Sequence, residues 1–455
     1  MNTKKSILVA VALLCIGQLK VYSQADTAVK QFTLQAAIDY ALKHNMTYLN
    51  VENDAKLNDY KRKEITGQGM PQINGGADLR DNVVLPTSLI PLSFIEPTNP
   101  AAVGQFAPVK FGVPYNLTAS ASVNQLIFSS DYFVALKASK ELVNLSQKNI
   151  LRSKVETAQN VSKAYYGVLV NKERIKILDI NIDRVKTLKD NATALNQNGF
   201  AEKIDVDRLE VNYNNLVTDK EKTLRLVEIS ELMLKFQMGY ELRASIELSD
   251  NLTKIENGED AQNLSSDKID PSNRPEFMVL QAQQHLNELD LKRYKMSYLP
   301  SLSGYGLVAE QFQKSNLDLG SKNWFPFAYI GATLNVPIFD GLQKNWRVQQ
   351  AKVNLLKTQN SFTQLKQSID LEVQSATVNY KNALVSLQTQ KKNIALARNV
   401  YEVTKRKYEQ GIGSSLDMNT TENDLHTSET NYFNSLYDLI IAKIDYQKAT
   451  GTLIK

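Results

Sequence analysis

Cysteine is nearly absent from this chain of 455 residues, which contains only Cys15. That cysteine lies in the apolar run 7–16, which follows Lys4 and Lys5. A short basic segment followed by a short apolar run is typical of a secretory signal peptide, so we expect residues 1–23 to be removed. The mature chain then has no thiol, which excludes disulfides, thiolate metal sites and cysteine nucleophiles. A buried N-terminal helix is the alternative interpretation.

Histidine is also scarce, and charge is balanced. His44, His285 and His426 each stand alone, with no second histidine or cysteine three or four residues away, so we expect no metal, no cofactor and no enzyme activity. The formal charge of +5 falls to about +2 when the three lysines of the signal peptide are removed. This balance gives no general field for nucleic acid, which we do not expect as a partner.

Long apolar runs are missing as well. Beyond residue 23 none approaches the ~18 apolar residues that a membrane-spanning helix needs. If the chain crosses a bilayer, we therefore expect it to do so as a closed β-barrel.

The chain instead contains an internal duplication. Residues 198–205 align with 410–417 at an offset of 212, and residues 124–128 align with 335–339 at an offset of 211. We predict a first structural repeat at 24–239, an irregular connecting region at 240–272 and a second repeat at 273–455. Each repeat reads as helix, two strands, long helix and helix, so the predicted fold class is mainly α with a β-barrel part.

Heptad spacing indicates that the helices are long. Large residues recur every seven positions, as in Val373, Tyr380, Leu387, Ile394 and Tyr401. The predicted helices are 34–66, 130–198 and 202–238 in the first repeat, and 274–297, 342–410 and 414–449 in the second. A helix over 130–198 is ~100 Å long, which suits a rod or tube. An ordinary coiled coil also explains the heptads but leaves the predicted strands unexplained.

Strict alternation of apolar and polar residues predicts two pairs of strands, at about 72–84 with 114–127 and at 301–313 with 327–339. Such strands fit either a soluble sandwich or a membrane barrel. An aromatic cluster near the second turn favours a barrel with an interfacial girdle; its members are Phe312, Trp324, Phe325, Phe327 and Tyr329. The proline-rich segment 85–113 is predicted to be an external loop without strands. Four strands cannot close a barrel, so we expect two or three identical copies.

Six motifs, in this order, resemble those of the TolC-like outer-membrane efflux proteins over essentially the whole mature chain. They are Phe32-Thr33-Leu34-Gln35-Ala36-Ala37-Ile38, Asn273-Arg274-Pro275-Glu276, Leu299-Pro300-Ser301-Leu302, Val336-Pro337-Ile338-Phe339-Asp340-Gly341, Tyr408-Glu409-Gln410-Gly411 and Ala449-Thr450-Gly451. The resemblance implies a homotrimer in the outer membrane that extends into the periplasm. Its twelve-stranded β-barrel would be continuous with a twelve-helix α-barrel.

The resemblance also implies a function and a set of partners. The chain would be the exit duct of a tripartite efflux system, with outer-membrane lipid, a periplasmic adaptor and an inner-membrane pump as partners. The adaptor would dock at the turns of Gly199 and Gly411, which are also plain helix C-caps. Asp417 and its duplicate Asp205 would line the periplasmic entrance, with Thr420 where a second acid can occur; both acids also suit the first turn of a helix. A duct for type I protein secretion and a soluble periplasmic coiled-coil scaffold remain alternatives.

Overall fold

The structure, a computed structural model, describes residues 30–98, 100–252, 270–320 and 322–454. The predicted signal peptide and much of the predicted connecting region lie outside the described residues. The chain divides into two compact units. The first contains the described parts of Met1–Asn45, Asn160–Ala261 and Asn382–Ile441; the second contains the described parts of Met46–Gln159, Gln262–Lys381 and Ala442–Lys455.

Seven α-helices are present in the described ranges. They are α1 (Leu34–His44), α2 (Met46–Gly67), α3 (Ser130–Gln197), α4 (Lys203–Met238), α5 (Pro275–Met296), α6 (Gln343–Glu409) and α7 (Ser415–Ala449). With 68 and 67 residues, α3 and α6 are each about 100 Å long. Within the residues described, none of these helices combines the length and apolarity needed to cross a bilayer.

The predicted helix over 34–66 is wrong at one point, because the structure breaks it at Asn45. This residue has an extended backbone, with φ −67° and ψ 119°. Its side-chain amide donates a hydrogen bond of 2.8 Å to the carbonyl of Gln237, at the end of α4. The tertiary bond therefore outweighs the helical pattern, which shows no interruption at this residue.

Eight strands form three sheets in the described chain. They are β1 (Lys30–Phe32), β2 (Gln72–Asp81), β3 (Thr87–Pro91), β4 (Phe106–Lys110), β5 (Tyr115–Phe128), β6 (Ile246–Leu248), β7 (Ser301–Lys314) and β8 (Trp324–Asn335). The main sheet has the order β2-β5-β7-β8, with antiparallel neighbours throughout. The last predicted strand, 327–339, is displaced. It begins earlier and stops before Pro337, which cannot donate to a strand ladder.

The prediction that 85–113 contains no strand is wrong. β3 and β4 pair as an antiparallel hairpin, with Leu89 opposite Pro108. A two-stranded hairpin leaves the outer edge of each strand without ladder partners, so a proline there costs no interstrand hydrogen bond.

The first unit has its core among α3, α4, α6 and α7. Leu209 and Leu425, which are 2% and 0% exposed, lie in one cluster with Tyr401 and Met418. The parallel pair of β1 and β6 belongs to the same unit, and β6 lies in the region predicted to be irregular. The Asp250 carboxylate accepts hydrogen bonds from the Leu34 amide at 2.7 Å and the Tyr165 hydroxyl at 2.9 Å, which fixes the start of α1.

The second unit contains the main sheet, α2 and α5. Arg274, which is 3% exposed, donates to the Ala449 carbonyl and the Glu372 carboxylate, both at 2.8 Å. It also pairs with Glu276 at 3.1 Å. The Asn273-Arg274-Pro275-Glu276 motif therefore has a structural role, since it holds the start of α5 through a buried guanidinium group.

Candidate functional site

The turns that join α3 to α4 and α6 to α7 have the same backbone. Gly199 and Gly411 have φ values of 77° and 72°. In each turn the residue after the glycine donates a backbone hydrogen bond to the carbonyl five residues earlier. The Phe200 amide donates to Leu195 at 2.8 Å, and the Ile412 amide donates to Lys407 at 2.9 Å. This is a Schellman motif, which favours glycine because L side chains rarely adopt positive φ. The helix-cap interpretation of both glycines is confirmed.

Each turn presents one large apolar side chain. Phe200 is 81% exposed and Ile412 is 77% exposed, and each directly follows the turn glycine. An exposed apolar group beside a rigid turn suits packing against another protein. Adaptor docking at these turns stays a prediction.

The predicted entrance residues of the second repeat lie at the start of α7. Asp417 is exposed, and its amide donates a hydrogen bond of 3.0 Å to the Ser414 hydroxyl. Thr420 is exposed one turn later, with its hydroxyl bonded to the Leu416 carbonyl at 2.8 Å. Asp424, also exposed, lies seven residues after Asp417 and shares its helix face. Sequence reasoning missed Asp424, although the seven-residue spacing could have found it.

Asp205, the duplicate of Asp417, lies in different surroundings. It is half-buried, and its carboxylate lies 3.6 Å from the Arg208 guanidinium. Burial raises the pKa of Tyr408, and the Asp205 carboxylate raises it further. Within the first unit, the structure therefore places Asp205 near Tyr408 and Asp417 in solvent.

A buried ion pair that sequence reasoning missed lies close to the second turn along α7. The Glu422 side chain is 1% exposed and accepts from Arg184 of α3 at 2.8 and 2.9 Å. The Arg184 guanidinium also lies 4.8 Å from the Tyr401 ring centre. Burial raises the pKa of Glu422, while Arg184 opposes that rise.

More polar groups continue this cluster along α7. Asn181, which is fully buried, donates to the Glu429 carboxylate at 2.6 Å and approaches His426 at 3.4 Å. Glu422 and Glu429 are seven residues apart, at positions that alternate with the buried Met418 and Leu425. Acids at core positions of a heptad were the available signal, because such acids need a buried partner.

The two faces of the main sheet differ most along β2 and β5. Strand pairing aligns Ile73, Val123, Gly306 and Ile330 on one face. Glu310 lies on this face as well. The opposite face carries Asn74 and Ser122, in register with the apolar residues of β7 and β8. The alternation along β2 and β5 suits lipid on one side and water on the other.

The predicted girdle residues divide between these faces. Phe312 pairs with Trp324, and their ring centres are 5.5 Å apart. Phe325, Phe327 and Tyr329 occupy the alternate positions of β8 and therefore lie on the opposite face. The structure thus brings two of the five together, and a girdle role stays a prediction. No group of three metal-ligating side chains occurs in the described chain.

Comparisons with known proteins show which family this chain resembles. Residues 272–452 match the family model for outer membrane efflux proteins. Outer membrane protein TolC of Escherichia coli (strain K12) is 19% identical over 368 residues, which cover 75% of this chain and 71% of that protein. TolC of Salmonella enteritidis is 23% identical over 176 residues, covering 38% and 34%.

Solved structures share the fold. The CmeC outer membrane channel of Campylobacter jejuni superposes with a TM-score of 0.72 at 16% identity, covering 93% of this chain and 86% of that one. VceC of Vibrio cholerae gives a TM-score of 0.73 at 12% identity, covering 92% and 96%.

The fold is therefore that of outer-membrane channels. The predicted resemblance to the TolC-like outer-membrane efflux proteins is confirmed. The family match also confirms the predicted location, the outer membrane with an extension into the periplasm.

Proposed function

We propose that this chain is the outer-membrane channel of a tripartite efflux system, a passive exit duct for small molecules across the periplasm and outer membrane. The main observation is the four-stranded sheet with one apolar face, whose outer strands β2 and β8 each pair on one side only. Unpaired strand edges are not tolerated in lipid, so a membrane location requires more strands. Three copies supply twelve strands, which is enough to close a barrel.

Exposed apolar positions on the helices support assembly into a homotrimer. Leu371 and Val378 of α6 are 69% and 55% exposed, seven residues apart. Ile204 and Val211 of α4 are 50% and 60% exposed at the same spacing. A seven-residue apolar repeat on a helix surface favours packing against another helix. In the proposed trimer these positions contact the helices of neighbouring copies, which complete a tube of twelve.

The two turns form the adaptor-docking end in this proposal. Gly199 and Gly411 set the turn, and Phe200 and Ile412 offer exposed apolar contacts. Asp417 narrows the entrance and attracts cations, and Asp424 adds a second acid on the same helix face. Thr420 between them contributes no charge. An inner-membrane pump supplies the energy for export in this proposal.

The test is to place one charge on either face of the same strand. Ile330 is 92% exposed on the apolar face, so Ile330→Asp should prevent insertion of the purified protein into planar lipid bilayers. Thr333→Asp, on the opposite face of β8, is the matched control and should still insert and conduct ions. A wild-type protein that stays a monomer without detergent, or equal conductance of both variants, would refute the proposal.

A further inference from the structure

A polar cavity lies at the end of the main sheet where strands meet helices. Its volume is about 630 Å³. Three basic side chains line it, Arg293 near the end of α5 and Lys344 and Arg347 near the start of α6. Ser297 and Ser301 add hydroxyl groups to the same wall. The cavity thus collects cations and neutral donors at one point of the second unit.

The cations of this cavity lie near acids but not in close ion pairs. Arg293 lies 3.6 Å from Asp131, the acid in the lining, and 3.6 Å from Asp290. It also donates a hydrogen bond of 3.1 Å to the Tyr294 hydroxyl. Lys344 lies 3.8 Å from Asp340. These ion-pair distances exceed the 2.7–2.9 Å typical of a charge-assisted hydrogen bond. Arg347 has no ion pair or hydrogen bond with any described residue, so its donors are the ones most available to an anion.

Helix stability does not explain these cations. The N-terminus of a helix carries partial positive charge, so acids are favoured there and bases are disfavoured. Nevertheless Lys344 and Arg347 lie near the start of α6, which begins at Gln343. The Asp340 carboxylate already caps this helix end, since it accepts a hydrogen bond from the Lys344 amide at 3.0 Å. An anion in this cavity would therefore be held by the side chains rather than by the helix end.

We infer that this cavity binds a phosphate group. Planar guanidinium groups bind phosphate through paired hydrogen bonds, and lysine and hydroxyl groups complete the coordination of its oxygens. The chemistry is the same for a phospholipid headgroup and for a soluble phosphate, so the experiment must separate these two sources.

The surroundings favour the phospholipid, a step that rests on the proposed function. If the main sheet crosses the outer membrane, the end attached to the helices is its periplasmic end. Ile338, Phe339 and Trp346, near the cavity in sequence, are 95%, 81% and 59% exposed. Exposed aromatic and aliphatic side chains beside cations are typical of a membrane interface, where acyl chains can cover them.

The test uses the purified full-length mature protein in detergent and native mass spectrometry. The probes are dioctanoyl phosphatidylglycerol and dioctanoylglycerol, which lacks the phosphate, and inorganic phosphate is measured separately by calorimetry. Arg347→Gln removes the one cavity cation that pairs with none of the described residues. Lys352→Gln is the matched control, because it removes one exposed charge from the same helix outside the cavity.

We expect Arg347→Gln to weaken phosphatidylglycerol binding about tenfold and Lys352→Gln to leave it within about twofold. Dioctanoylglycerol should not bind at this site. If inorganic phosphate alone shows the Arg347 dependence, the phosphate site stands and its source is soluble. Equal binding by both variants, or equal binding of the lipid without phosphate, overturns the inference.

Conductance in planar bilayers separates this inference from the proposed function. A protein that conducts but shows no Arg347 effect refutes the phosphate site alone. A protein that binds phosphate through Arg347 but does not conduct refutes the duct and leaves the site in place. Thermal unfolding of Arg347→Gln should match that of the wild type, since the side chain pairs with no residue that the structure describes. If the variant unfolds differently from the wild type, Lys344→Gln is used in its place. Lys344→Gln must then weaken phosphate binding in the same way; otherwise the inference fails.

Discussion

The turn after α3 and the turn after α6 share one backbone and have different surroundings. Both contain a glycine with positive φ and the same pair of capping hydrogen bonds. At the offset of 212, Glu210 in the first copy corresponds to Glu422 in the second. Glu210 is exposed, whereas Glu422 is buried against Arg184. The turn geometry follows from local sequence, and the burial of the acid follows from the helix packed opposite.

The largest expected effect tests this difference directly. Glu422→Gln leaves the Arg184 guanidinium, 19% exposed, without its counter-charge. We expect a loss of about 3 kcal/mol in the free energy of unfolding. Glu210→Gln should change it by less than about 0.5 kcal/mol. Urea unfolding followed by circular dichroism checks both, and similar midpoints for the two variants would contradict the assigned difference.

A second expected effect concerns the backbone of the turns. A Cβ on Gly413 would lie 2.9 Å from the Tyr408 amide nitrogen, which is closer than real Cβ contacts. The first turn has Ala201 at the matching position and therefore accommodates a methyl group. We expect Gly413→Ala to cost about 2 kcal/mol by overpacking.

Ala201→Gly is the matched control for the turn. It should cost less than about 1 kcal/mol, because it only adds freedom to the unfolded chain. The same unfolding measurement applies. An unaffected Gly413→Ala variant would show that the second turn can move away from the added methyl group.

A third, smaller effect compares the two duplicated acids. Asp417 is exposed and Asp205 is half-buried beside Arg208, so in the proposed duct Asp417 is the acid whose charge would face the ions. Asp417→Asn should lower the potassium-to-chloride permeability ratio about twofold in planar bilayers. Asp205→Asn should change it less. An unchanged ratio in Asp417→Asn would remove the entrance role proposed for this residue.

Long helices and alternating strands could be predicted because their signals are local and repeat many times. The ends of α3 and α6 lie within about one residue of their predicted positions, since glycine marks the C-terminal end and heptads fill the interior. The pairing of β7 with β8 follows from alternation and a short connection. The motif order carried the family resemblance.

Features that depend on distant residues could not be predicted. The break at Asn45 depends on a carbonyl 192 residues away. The burial of Glu422 depends on Arg184, 238 residues away. The hairpin in the proline-rich segment was not predicted because proline was taken to exclude strands. Proline is nevertheless tolerated on the open edge of a strand. The heptad places Glu210 and Glu422 at equivalent positions, so only the opposing helix shows which of the two acids is buried.

The smallest expected effect is the pH dependence of the second-turn region. Burial lowers the pKa of His426, and Arg174 and Arg184 add to this, while Asp219 and Glu429 oppose it. The folded chain therefore binds this proton less readily than the unfolded chain. The neutral His426 side chain therefore makes its full contribution to stability above about pH 6.5, the ordinary histidine value. That contribution is lost as the pH falls through the pKa of His426 in the folded chain.

Lowering the pH from about 7.5 to 5.5 should therefore reduce the melting temperature, and His426→Gln should flatten that dependence. The corresponding residue of the first copy, Asn214, cannot titrate, so the effect distinguishes the two turn regions. His285→Gln is the control, because that side chain is 56% exposed. If the pH dependence of the melting temperature persists in His426→Gln but disappears in His285→Gln, the responsible histidine is His285. The polar cluster beside α7 would then have no part in acid sensitivity.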